Sequence, residues 1–187
     1  MSNVSYILKK SDPTFGGASL NESAIDWIDG VLKEGDTIVE LGSGEGSTIA
    51  LGKKYNLYSV ENQPVWKDRF PEYTTYINCR SKEYDDEYTK PEEFQDNISW
   101  YHPDDLFPNL PEDYDLILID GPGGIGHGWG RGGFWKHIEE FNTDVPMIFD
   151  DINRIPDSEV MELVSDYVVR DYGIIDHYTG VILGKSN

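Results

Sequence analysis

The chain has 187 residues, of which 38% are hydrophobic and 13% are aromatic, enough apolar material for one α/β domain and too much for wholesale disorder. Its formal charge of −20 disfavours nucleic-acid backbones and anionic membranes and favours cations, including divalent metals. The sequence has no membrane-length apolar run, no signal-peptide pattern and only one cysteine, Cys79. We therefore expect a single cytoplasmic domain over residues 1–187 that binds neither nucleic acid nor membrane. We also expect no internal disulfide and no cysteine-built zinc site.

The first predicted helix begins at a capping box, in which Ser19 and Glu22 have the spacing of an N-terminal cap. Apolar residues then recur at helical intervals, at Leu20, Ala24, Ile28, Val31 and Leu32. Gly35 is expected to close this helix, since glycine commonly follows a helix C-terminus.

Short apolar segments predict buried strands at Thr37–Leu41, Leu57–Glu61, Leu116–Asp120 and Val145–Asp150. Their nearly continuous apolar character is typical of a parallel sheet that helices cover on both faces. A further strand, the third in chain order, falls either within 74–79 or within 98–101, and the sequence leaves that choice open.

Helices are predicted between these strands. A short one is expected at 64–70, and a second at 133–141 places Phe134, Ile138 and Phe141 on one face. Pro156 opens another helix, whose buried stripe is expected to contain Val160, Leu163, Val164, Tyr167 and Val168. Segments 172–175 and 180–183 would form a closing pair of strands. The alternation predicts a Rossmann-like, doubly wound and mostly parallel sheet with an antiparallel C-terminal strand.

A glycine turn follows the first strand, where Gly42, Gly44 and Gly46 alternate with other residues after Glu40. In open α/β sheets ligands bind at the carboxyl ends of the strands, and glycines let the backbone approach them. A dinucleotide-binding turn would place its third glycine at position 47, where this chain has Ser47. That glycine serves a pyrophosphate, so the pattern favours a cofactor without phosphate.

This strand and turn resemble the first motif of the class I S-adenosylmethionine-dependent methyltransferases. The resemblance implies that the turn lines the methionine and ribose parts of the cofactor, that Glu40 positions its amino end and that Glu61 accepts its ribose hydroxyls. Residues 1–19 would then fold over the bound cofactor. The cofactor-binding residues implied are Glu40, Gly42, Ser43, Gly44, Gly46, Glu61 and Asn62, the last beside the adenine.

Acidic residues follow two further strands: Asp120 after one, and Asp150 and Asp151 after the other. These strand ends are expected at the same edge as the cofactor, where neighbouring carboxylates either shift their pKa values or recruit a cation. Their oxygens suit magnesium, manganese or calcium, and of these we expect magnesium or manganese. The placement is similar to that of the metal ligands in metal-dependent catechol-type O-methyltransferases, although a ligating asparagine of that family is Asp151 here. The resemblance implies a metal that orients and activates a hydroxyl acceptor.

A closer resemblance covers roughly a third of the chain, through Asp120-Gly121-Pro122, Gly130-Arg131-Gly132-Gly133 and Asp150 to Arg154. These segments resemble the glucuronoxylan 4-O-methyltransferase group, without the methionine that usually follows its glycine–arginine pair. A sugar hydroxyl is therefore the implied acceptor, including one on a uronic acid whose carboxylate would bind Arg131 and Arg154. Internal salt bridges to the strand-end aspartates are the alternative for both arginines.

The segment 121–133 is rich in glycine, and we expect its His127 to be the general base of the reaction, together with Asp120 and Arg131 as catalytic residues. An ordinary surface histidine is the alternative. The sequence thus predicts an S-adenosylmethionine-dependent O-methyltransferase that acts on a carbohydrate or another small hydroxyl compound. A catalytically inactive cofactor-binding partner protein and a protein methyltransferase remain alternatives, and the oligomeric state is not predicted.

Overall fold

The computed structural model describes residues 20–83, 99–123 and 131–185. The segment 1–19 and His127, both assigned roles above, lie outside these ranges. The strands are β1 (Thr37–Leu41), β2 (Asn56–Glu61), β3 (Thr75–Asn78), β4 (Ser81–Glu83), β5 (Ser99–Tyr101), β6 (Leu116–Ile119), β7 (Met147–Phe149), β8 (Tyr172–Ile174) and β9 (Gly180–Ile182). The helices are α1 (Glu22–Val31), α2 (Glu45–Gly52), α3 (Pro103–Leu106), α4 (Gly132–Lys136) and α5 (Ile155–Val168).

Seven strands form one sheet in the order β3-β2-β1-β6-β7-β9-β8. Strands β3, β2, β1, β6 and β7 pair in parallel, whereas β9 is antiparallel to both β7 and β8. This confirms the predicted Rossmann-like, doubly wound and mostly parallel sheet with an antiparallel C-terminal strand. The strand order reverses between β1 and β6, so the carboxyl ends of these two strands border the crevice where ligands of such sheets bind.

The apolar character of the strands is explained by burial on both faces of the sheet. Along β6, Leu116 and Leu118 pack in one cluster with α1, while Ile117 and Ile119 pack in the other cluster with residues of α4 and α5. Because side chains alternate between the two faces of a strand, a strand covered on both sides needs apolar residues at every position.

The first helix differs from its prediction at both ends. Asn21, not Ser19, is the N-cap residue, and its side-chain amide donates to Asp176 across 3.2 Å instead of capping the helix. The helix ends at Val31, which is 48% exposed. Gly35 lies in the following turn at φ +91°, so it shapes the entry to β1 and does not close the helix.

The expected helix at 64–70 is wrong. This segment forms turns, and Asp68 adopts a φ of +54°, which interrupts helical hydrogen bonding. Both candidates for the third strand are extended. The first, β3, joins the main sheet beside β2, whereas the second, β5, pairs with β4 in a separate antiparallel ladder.

The remaining helices follow their predictions in part. The segment 133–141 divides into α4 and a 3₁₀ turn at Ile138–Glu140, and its three expected core residues are buried. Tyr167, expected in the buried stripe of α5, is 46% exposed, whereas Val160 and Val164 are buried as predicted. Among the described residues, no helix has the length and apolar character needed to cross a membrane.

Candidate functional site

The glycine turn connects β1 to α2 in the crevice. Gly42 has a φ of +95°, and a Cβ atom placed on it would lie 2.9 Å from Gly121 Cα. A Cβ atom on Gly121 would in turn lie 2.7 Å from Gly42 Cα. Both positions therefore require glycine, because the backbones that leave β1 and β6 nearly touch at this point.

Glu40 organises the turn from beneath. Its side chain is fully buried, and Ser47, Thr48 and Ser59 donate hydrogen bonds to it across 2.9, 2.8 and 2.6 Å. Burial raises the pKa of this carboxyl to about 7, although the three hydroxyl donors oppose the shift. Ser47, the residue that departs from a dinucleotide-binding turn, thus ties α2 to the strand. The Glu40 carboxylate thus accepts hydrogen bonds from protein hydroxyls, and these contacts were not predicted from the sequence.

Glu61 holds the turn from the side of β2. One carboxylate oxygen accepts from the backbone N–H and hydroxyl of Ser43 across 3.2 and 2.8 Å, and the other accepts from the backbone N–H groups of Asn62 and Gln63, both across 2.8 Å. The side chain of Gln63 reaches the carbonyl oxygen of Gly123 at 3.4 Å. The loops after β1, β2 and β6 therefore meet around one crevice, with Ser43 and Glu61 in contact beside it.

The structure brings Asp120, Asp150 and Asp151 together, with one carboxylate oxygen of each lying within 4.8 Å of the others. Burial raises the pKa of Asp120 well above its ordinary value, and the neighbouring Asp150 raises it further. Burial also raises the pKa of Asp150, while Arg131 opposes both shifts. Carboxyls in such surroundings take up a proton or a cation.

Arg131 lies at the centre of this acidic cluster and is 5% exposed. One of its terminal nitrogens, Nη2, lies 3.2 Å from Asp120 Oδ1 and 2.6 Å from Asp151 Oδ2, while Nη1 donates to the backbone carbonyl of Asp150. Its Nε lies 3.6 Å from Asp157 Oδ1. The guanidinium is thus committed to the internal ion pairs that were the alternative to substrate binding.

Arg154 pairs with Asp151 and Asp157 at the rim of the same cluster, and its side chain is 46% exposed. The four aspartates and two arginines together leave a formal charge of −2. Either a bound proton or a divalent cation would reduce that charge. Hard carboxylate oxygens are ligands that magnesium and manganese accept.

Two members of the site were missed from the sequence. Asp157 was assigned no role, yet it is buried against Arg131, and burial raises its pKa. Tyr101 was assigned no role, yet its side chain reaches the crevice, since a Cβ atom on Gly121 would lie 2.5 Å from the Tyr101 hydroxyl oxygen. The sequence did not identify either residue, because Arg131 lies 26 positions before Asp157 and Gly121 lies 20 positions after Tyr101.

No family model and no curated protein matches the chain. Among solved structures, it is similar to the precorrin 8w decarboxylase of Methanobacterium thermoautotrophicum, with 13% identity, 92% of this chain and 94% of that chain covered, and a TM-score of 0.53. The methyltransferase FkbM of Methylobacillus flagellatus has 16% identity and a TM-score of 0.49, with 86% of this chain covered, and the chain spans 47% of its length.

A TehB-like S-adenosylmethionine-dependent methyltransferase of Corynebacterium glutamicum has 13% identity and a TM-score of 0.46, with 87% of this chain and 88% of that chain covered. What the chain shares with the decarboxylase is the fold, an open, doubly wound α/β sheet.

Proposed function

We propose that the chain is an S-adenosylmethionine-dependent O-methyltransferase that acts on a hydroxyl of a carbohydrate or another small molecule. One observation carries the proposal: the acidic cluster lies at the same edge of the sheet as the glycine turn. Asp120 directly precedes Gly121, which contacts Gly42 of the turn. An acceptor held by the cluster would therefore lie beside a cofactor held by the turn.

The proposed cofactor supplies a methyl group already activated on a sulfonium. The acceptor oxygen would form a bond to the methyl carbon while the carbon–sulfur bond breaks, and the hydroxyl proton would pass to a base. Alignment of the two reactants contributes most to such a reaction, with effective molarities of about 10⁵ M or more. Glu61 and the turn would fix the cofactor, and the aspartates would fix the acceptor. His127 remains the proposed general base.

A divalent metal is part of the proposal because the donor set fits one. Asp120, Asp150 and Asp151 would hold magnesium or manganese, which would lower the pKa of a coordinated hydroxyl and orient it. Arg131 would then position Asp120 and Asp151 through its ion pairs. It takes a supporting role here in place of the catalytic one that the sequence suggested.

The half-exposed Arg154 supports an acidic acceptor, such as one that contains a uronic acid. A chain of formal charge −20 repels anions, so a carboxylate-bearing acceptor needs a cationic side chain at the site. Arg154 has N–H groups at the rim, whereas Arg131 is enclosed. We therefore assign recognition of such an acceptor to Arg154.

The proposal is tested by methyl transfer from labelled S-adenosylmethionine to a panel of neutral and uronic acid-containing oligosaccharides, with manganese or with chelator. Transfer to a hydroxyl, strongest for acidic oligosaccharides with metal, is the expected result. Cofactor binding without transfer to any acceptor would favour a catalytically inactive binding protein. Transfer to protein alone would favour a protein methyltransferase, and absence of binding would reject the cofactor.

A further inference from the structure

The buried hydroxyl of Tyr101 has no hydrogen-bond partner among the residues that the structure describes. The residue ends β5 and its side chain is fully buried, yet its oxygen accepts from and donates to no group of residues 20–83, 99–123 or 131–185. Buried side-chain hydroxyls in native proteins are nearly always paired, and an exception calls for a functional explanation.

The position of this hydroxyl points to the crevice. The oxygen lies against Gly121, so closely that a Cβ atom there would be 2.5 Å away, and the same Cβ atom would be 2.7 Å from Gly42 Cα. The phenol tip is thus at the point where the chains leaving β1 and β6 meet. Glu61, Asp120 and Arg131 are all near enough to affect its ionisation.

The chemistry of the surroundings makes the phenol a donor. Burial raises the pKa of Tyr101 well above its ordinary value, and the negative charges of Glu61 and Asp120 act in the same direction. The phenol therefore keeps its proton and lacks an acceptor for it within the described part of the chain. Glu61, at the end of β2, exerts the largest of these charge effects.

We propose that Tyr101 is a cofactor-positioning residue whose hydroxyl donates a hydrogen bond to a ribose oxygen of the bound cofactor. The proposal rests on the proposed function, in which Glu61 would fix the cofactor, and on the ribose contact of Glu61 that the methyltransferase resemblance implies. A ribose hydroxyl that donates to a carboxylate keeps its lone pairs and can accept from a phenol. Tyr101 and Glu61 would then both form hydrogen bonds to the ribose, one as a donor and the other as an acceptor.

The test is Tyr101→Phe, which removes only the hydroxyl. Calorimetric titration would measure binding of S-adenosylhomocysteine and of methylthioadenosine, which shares its ribose but lacks the amino-acid end. We expect both dissociation constants to rise about tenfold, the value of one neutral hydrogen bond. The melting temperature of the free variant should not fall, since an unpaired buried hydroxyl is lost.

Tyr114→Phe is the matched control. The Tyr114 phenol is also buried, but it accepts from the backbone N–H of Asn142 across 2.6 Å, next to the amino end of β6. This variant should lose stability and retain its affinity for both ligands.

The outcomes separate the two proposals. If the wild-type chain binds neither ligand, the proposed function fails and Tyr101 loses its role with it. If the wild type binds both and Tyr101→Phe binds them equally well, only the role of Tyr101 is overturned. Weaker binding of S-adenosylhomocysteine alone would place the contact on the amino-acid end and would overturn the ribose assignment.

Discussion

Replacing Arg131 by methionine tests the electrostatic account of the acidic cluster. The substitution keeps an unbranched apolar stem and removes the guanidinium that pairs with Asp120, Asp151 and Asp157. Because the Arg131 side chain is 6% exposed, solvent would screen little of the loss. Removing one partner of a buried ion pair costs about 3–5 kcal/mol. Against a typical domain stability of about 5–15 kcal/mol, the effect would be large.

The loss should depend on pH, with a sign that follows from the raised pKa values of Asp120 and Asp150. A carboxyl whose pKa is raised by folding contributes stability below its unfolded pKa and loses that contribution as the pH rises through the folded pKa. Without Arg131 these pKa values rise further. The variant should therefore be closest to the wild type near pH 5 and furthest from it near pH 8.

Urea unfolding of both proteins at these two pH values measures the effect. Arg154→Met is the control, because its half-exposed side chain pairs at the rim and should cost less than about 1 kcal/mol. A loss below about 1 kcal/mol for Arg131→Met, or an equal loss at both pH values, would refute the reasoning.

Three further predictions concern the two halves of the site. Folding raises the pKa of Glu40 from 4.5 to about 7. Its contribution to the stability of the fold is therefore complete below pH 4.5 and disappears as the pH rises through 7. Between pH 4.5 and pH 7 this carboxyl would lower the free energy of unfolding by at most about 3 kcal/mol, and Glu40→Gln should remove that decline. If urea unfolding shows the same dependence on pH for the variant and the wild type, the assignment is contradicted. Gly44→Asp should weaken S-adenosylhomocysteine binding more than about 100-fold by calorimetry, since the added side chain would stand in the turn that is proposed to line the cofactor; Gly30→Asp, on α1, should bind normally. Manganese should raise the melting temperature of the wild type and not of Asp150→Asn, and an equal rise in both would reject the metal site.

The fold was predictable where the sequence is locally distinctive. Strands β1, β2, β6 and β7 were each identified within a few residues, because burial on both faces demands continuous apolar segments. The choice between 74–79 and 98–101 was not predictable, since both are short and strand pairing depends on distant residues. The turns at 64–70 were missed because the left-handed conformation of Asp68 has no strong sequence signal.

The candidate site was predictable in its placement and less so in its contacts. Strand order alone brings Asp120, Asp150 and Asp151 to one edge, and the structure places them there. The sequence left open whether Arg131 binds substrate or pairs with aspartates of the chain, because its acidic partners are 11 to 26 positions away. The hydroxyl groups that donate to Glu40 of β1 come from α2 and β2. These contacts could not be predicted, because they depend on how the three elements pack.

Calorimetric titration of the wild-type chain with S-adenosylhomocysteine tests the central claim, that the crevice at Gly42 and Glu61 is a cofactor site. We predict binding of one molecule per chain with a micromolar dissociation constant, about 8 kcal/mol of binding free energy. Absence of heat up to millimolar ligand, with the protein shown to be folded, would contradict the account.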